Sequence, residues 1–194
     1  MSINHWIVKN LVCTLFLVVG GLNIYAQKDK YLIEAEAFQF KGKWSTDRSA
    51  DCMGSAMLRL NGGGSLDEQF DALTVVNIME EGDYNVWVRS ADYDKLPGTR
   101  LFRLSVDEKP MKESGKHGKV GFYWENAGCV QLAKKQVLLR LHDTKRNFGR
   151  CDAILLVKDH SINPNEMDRK EVGKWRKNPV KIETKGSGFD NVST

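Results

Sequence analysis

Cysteine is scarce in this chain of 194 residues, and no two of its four cysteines form a CxxC pair. That absence removes a zinc knuckle and a thioredoxin-type redox site. Cys13 lies in an N-terminal apolar run, so Cys52, Cys129 and Cys151 remain in the body. Their odd count allows one disulfide with one free thiol, or buried thiols that pack as small apolar groups. No GxGxxG follows a strand pattern, and no GxSxG offers a nucleophile elbow for His142 and its neighbour Asp143. The glycine-rich NGGGS at 61–65 lacks the lysine and the strand-to-helix setting of a phosphate loop, and reads as a loop between strands. Excess charge is missing too. The net charge is +4, and the stretch 158–194, with eight basic and six acidic side chains, supplies much of it. The body is close to neutral, which argues against the concentrated basic stripe of a nucleic-acid binder. Convincing helical periodicity is absent before residue 160.

What is present begins with a leader. One lysine, Lys9, precedes an apolar run from Leu11 to Leu22, and Ile24-Tyr25-Ala26 follows. This is the layout of a secretory signal, with cleavage expected before Gln27, and it predicts a periplasmic or extracellular protein. The run is shorter than the roughly 20 apolar residues of a comfortable bilayer span; an uncleaved anchor is the competing reading. Residues 27–158 then read as one domain of short strands. YLIEAEAF, SAMLRL, FDALTVVNIM, YNVWVRSA, RLFRLSVD, QVLLRLHD and CDAILLVKD carry apolar residues in alternation or in short runs, and GFYWENAGCVQLA reads as two strands around Asn126–Gly128. Turn residues separate them about every ten positions, and EKP at 108–110 reads as a hairpin turn. The expected class is all-β, an antiparallel β-sandwich of jelly-roll type. Beyond it, 159–194 predicts a short helix over 165–177 and a polar tail or linker.

The segments YLIEAEAF, EEGDYNVWVRS and GRCDAILLVKD, in that order, resemble the galactose-binding-like β-sandwiches of carbohydrate-binding modules in families 6 and 35. HGKVGFYWENAGCVQL and LHDTKRNFGRCDAILL further resemble a sandwich domain attached to bacterial FAD-dependent oxidoreductases and polysaccharide-processing enzymes. The resemblance implies a structural calcium held by Glu34, Glu36 and Asp152, with backbone carbonyls around Ala50, Asp51 and Gly54 completing the shell. The residues allow this in part, because carboxylates two apart on a strand share a face and repel unless a cation lies between them. The competing reading leaves Glu34 and Glu36 in solvent and pairs Asp152 with Arg150.

A sugar ring stacks its C–H faces on exposed aromatic rings, and planar polar groups take its hydroxyls and acids. The ligand candidates are Trp44, Tyr93, Tyr123, Trp124, Arg146 and Arg150. By alternation Phe122 and Trp124 share one face of their strand and Tyr123 opposes them; for any one aromatic, a core position is the ordinary alternative. Arginine forks match carboxylates at two points, which suits an acidic glycan. Glu34, Glu36, Asp51, Glu125 and Asp152 could in principle pair as glycosidase acids, but none has flanks that suggest a raised pKa, and the chain is read as non-catalytic. Two functions follow: a carbohydrate-binding module, or an accessory domain for a separate catalytic partner, with the C-terminal segment as its tether. Arg150, Cys151 and Asp152 stand directly before the apolar run Ala153–Val157. In this reading Asp152 joins the two ends of the chain at Glu34 and Glu36, and Cys151 is buried packing.

Overall fold

The computed structural model describes residues 28–62, 67–144 and 148–182. The leader, Arg146 and everything after Ile182 lie outside the described residues. Among the described residues, ten strands form two antiparallel sheets. The larger sheet contains β1 (Lys30–Glu34), β2 (Trp44–Arg48), β3 (Ala56–Leu60), β5 (Gly82–Ala91), β8 (Phe122–Leu132) and β10 (Arg150–Val157). The smaller is ordered β4 (Ala72–Asn77), β9 (Gln136–Asp143), β6 (Phe102–Val106) and β7 (Lys109–Ser114). The all-β sandwich expected from the alternating patterns is the observed fold.

β5 illustrates why the sheets face each other. Tyr84, Val86, Val88 and Ser90 are buried, while Asn85, Trp87 and Arg89 point the other way. Tyr84, Val86 and Val88 meet Leu104, Leu139 and Leu141 of the smaller sheet in one apolar core. Each such side chain contributes about 1.5–3 kcal/mol when fully buried.

β10 is buried on both sides because it is central. It pairs with β5 on one edge, and with β3 and then β1 on the other. Ile154 and Leu156 enter the inter-sheet core, whereas Ala153, Leu155 and Val157 enter a second cluster on the outer face. The C-terminal segment covers that cluster with Val172, Met167, Ile162 and Trp175.

Five details differ from the sequence expectations. β8 is one continuous strand, with a register shift opposite Val86 and Trp87 and with Gly128 at φ +122°. β2 and β7 are additional strands. The β6–β7 hairpin turns at Asp107 and Glu108, whose φ values of 51° and 65° match a two-residue turn of the kind that right-twisted strands prefer. The predicted helix shrinks to a 3-10 turn at Pro164–Glu166 and α1 (Arg169–Gly173). Finally, the tail up to Ile182 does not hang free. Trp175 and Lys177 bond Leu32 at the edge of β1, and Val180 bonds Val75 on β4. The C-terminal segment thereby covers part of two strand edges, those of β1 and β4, which blunts a template for edge-to-edge pairing.

Candidate functional site

Strand register brings several loops to one end of the sandwich. Ala91 pairs with Phe122, Phe102 with Asp143, and Arg150 with Arg59. The loops after β3, β5, β7 and β9 therefore emerge together. Two buried or half-buried carboxylates fix two of them. Asp92, 4% exposed, accepts backbone N–H groups from Tyr93 (2.7 Å), Gly98 (3.2 Å) and Gly118 (2.8 Å), so one carboxylate holds both the β5–β6 and the β7–β8 loops. Glu125 accepts from the Ser90 hydroxyl (2.6 Å), Gly115 N–H (2.6 Å) and Lys116 N–H (3.2 Å). Charged acceptors make such bonds short and strong, and the loop end is preorganised as a result.

Tyr93 stands out from this end at 40% exposure, with the Arg100 guanidinium 5.3 Å from its ring centroid. Arg100 is held from behind by the Asp92 carbonyl at 2.7 Å. Phe148, 53% exposed, rests against Gly62, where a side chain would fall 2.7 Å from the phenyl edge. Tyr123 lies on the opposite face from Trp124, as alternation predicted, half-buried, with Lys119 Nζ 3.5 Å over its ring and His117 at 5.7 Å.

Arg150 is half-buried at the mouth of β10. Its Nε is shielded from solvent and has no hydrogen-bond partner among the described residues. Burial lowers its pKa, and the like charges of Arg100 and Arg59 lower it further, against a smaller opposing pull from Asp47. Arg59 is partly neutralised by Asp47 at 3.0 Å and donates to the Asn61 amide oxygen at 3.1 Å, yet its own Nε is also buried without a partner. Arg150 crowded by the like charges of Arg59 and Arg100, with Arg100 against the exposed Tyr93 ring, can accept an anion, which would relieve the repulsion and satisfy the free N–H donors.

Two aromatic candidates do not belong to this surface. Trp44 is 3% exposed and packs edge-on against Phe102 at 5.7 Å between the sheets, because position one of β2 faces the core. Trp124 is 5% exposed under the C-terminal segment. The Asn165 amide bonds both its N–H (3.0 Å) and its carbonyl (2.9 Å), as a neighbouring strand would. Beside it a cleft of about 210 Å³ is lined by residues including Arg89, Phe122, Asn165 and Arg169.

The expected calcium shell assembles only in part. Glu36 sits in a 3-10 turn (Ala35–Ala37) and not on the strand, but its carboxylate and that of Glu34 both close on Gly54, where a Cβ would lie 2.2 Å from Glu36 Oε1 and 2.8 Å from Glu34 Oε1. Glu36 Oε2 is buried without a partner. Four of the six carboxylate oxygens are taken, Glu34 Oε1, Glu36 Oε1 and both of Asp152. Glu36 Oε1 accepts from Ser55 (2.8 Å) and Ala56 (3.2 Å) N–H, and Arg176 Nε donates to Glu34 Oε1 at 2.7 Å. Asp152 pairs with Arg89, not Arg150, and both its oxygens also face the Met53 N–H, at 3.0 and 3.1 Å. A register shift between Cys151 and Ala153 bulges Asp152 out of the ladder and aims it there. Among the described residues no three His, Cys, Asp or Glu side chains gather to hold a metal ion. The residues present do not fit the ion that the resemblance implies.

Sequence reasoning missed Asp92, Glu125 and Arg59 as organisers of the loop end. An Asp six residues before a glycine was a weak signal for the first. For Arg59 there was none, because it is one polar position in an alternating strand. His142 meets Asp71 at 2.9 Å.

No family model matches the chain, and no curated protein matches it. Solved structures do. A family 35 carbohydrate-binding module from Clostridium thermocellum superposes with TM-score 0.52 at 18% identity, over 65% of this chain and 97% of that one. This chain shares the β-sandwich fold of that module. The C-terminal family 6 module of LamC, a laminarinase from Zobellia galactanivorans, gives TM-score 0.51 at 16% identity, over 67% of this chain and all of that one (100%). The GH26-CBM35 β-(1,4)-mannanase of Podospora anserina gives 0.54 at 18% identity over 71% of this chain, which spans only 30% of the enzyme's length.

Proposed function

We propose that this chain is an exported carbohydrate-binding module that holds an acidic glycan at the loop end without cutting it. One observation carries the reading: Arg150 keeps a buried, unpartnered Nε beside Arg59 and Arg100, next to the exposed rings of Tyr93 and Phe148. A uronate offers both halves of the match, a carboxylate for the guanidinium groups and a C–H-rich ring for the aromatics. The fold shared with modules of families 35 and 6 supports a binding role. Likeness to one part of a mannanase supports a second arrangement, in which the sandwich serves a separate polysaccharide-processing enzyme.

Affinity electrophoresis through gels containing polygalacturonate, alginate, galactomannan or laminarin tests the proposal. Retardation is expected in the acidic gels only. Arg150→Ala should weaken binding about tenfold to a hundredfold, the worth of one charge-assisted hydrogen bond, with an unchanged melting temperature. Migration unaltered by every glycan would refute it. N-terminal sequencing of the exported protein should begin at Gln27.

A further inference from the structure

The turn between β2 and β3 directs four consecutive carbonyls, Ala50 to Met53, at cationic side chains. Arg169 Nη1 donates to the Ala50 (3.0 Å) and Cys52 (3.2 Å) oxygens. Arg89 Nη1 donates to the Asp51 oxygen at 2.8 Å, and Arg176 Nη2 to the Met53 oxygen at 3.3 Å. Two of these guanidinium groups also reach acids: Arg89 pairs with Asp152, and Arg176 with Glu34. Such an array of carbonyls and carboxylates is what a hard cation would use.

We propose that Arg89, Arg169 and Arg176 stand in for a divalent ion in this sandwich, closing the Ala50–Met53 turn onto the acids without metal. Arg89 and Arg176 neutralise Asp152 and Glu34, Arg169 holds the turn carbonyls, and Glu36 is met by the Ser55 and Ala56 N–H groups. A guanidinium suits this work because it stays protonated, is weakly hydrated, and divides its donors among several acceptors in a fixed plane. The exchange also alters what the site ties together. A bound ion would join β1, the turn and β10. Arg169 and Arg176 instead bring in the C-terminal segment, more than a hundred residues further along the chain from the carbonyls that they bond. That segment thus becomes part of the closure.

Thermal melting of the full chain, in calcium chloride and in EDTA, provides the test. The wild-type midpoint should be the same in both. Arg176→Gln should lower it by several degrees. If that variant does not fold, Arg176→Lys carries the test: an ammonium is a single point charge without the planar fork, so its midpoint should also fall, by less. A wild-type midpoint raised by calcium would overturn the proposal, and so would an Arg176→Lys protein that melts with the wild type.

Discussion

At the residue scale, position separates side chains that look alike in the sequence. Trp44 and Tyr93 are both aromatic residues near the loop end, yet one is in the core and the other in solvent. Trp44→Ala should cost about 3–5 kcal/mol in urea unfolding, the usual price of emptying a large core site. Tyr93→Ala should stay within about 0.5 kcal/mol of the wild type and lose glycan binding instead. Asp152 makes a different prediction. Burial pushes its carboxyl up to about 6, and Arg89 and the Met53 N–H pull against that rise. An acid whose folded pKa is raised binds its proton more readily folded than unfolded. Its contribution is therefore complete below the unfolded pKa of about 4 and is lost as pH rises through 6. Relative to Asp152→Asn, which does not titrate, the wild type should lose about 2 kcal/mol between pH 4 and pH 7. Urea melts of both proteins at the two pH values measure the difference.

At the element scale, strands with a clear apolar face were legible, and two short polar edge strands were not. β5 alternates because one side meets the other sheet, and β10 is apolar because both sides are covered. β2 (WSTDR) and β7 (KPMKES) lie at sheet edges, so charge and proline fill them and hide the period. β8 read as two strands because Gly128 and its bulge interrupt the pattern without ending the pairing. The site was legible to the same degree. Arg150 was conspicuous as a charge before an apolar run, and Tyr93 as an aromatic in a loop. Arg59, Asp92 and the two C-terminal arginines depend on contacts between distant segments, which no local pattern encodes. The C-terminal segment shows what this costs. Its polar composition suggested a tether, but Val172, 1% exposed, seals the outer cluster over Leu155 and Val157. Val172→Asp should destabilise the domain by several kcal/mol, since it buries an unpaired carboxylate. A tether would tolerate the change, and a melting curve distinguishes the two.

At the scale of the whole molecule, the charge is small and dispersed. A net charge of +4 over 194 residues gives little long-range pull on a polyanion. Recognition of an acidic glycan must then come from a few placed groups, in contrast to a nucleic-acid binder that releases many counterions. The arginines of the loop end suit this, because Arg150 is half-buried and screened less by salt than an exposed lysine would be. The affinity for a uronate oligomer should therefore fall by less than about tenfold between 0.05 and 0.5 M sodium chloride, while Arg150→Ala removes most of it at either concentration. Calorimetric titration at the two salt concentrations measures both effects. A steep loss with salt, equal in the wild type and Arg150→Ala, would shift the contact to exposed lysines such as Lys95 and Lys116 and away from the guanidinium cluster.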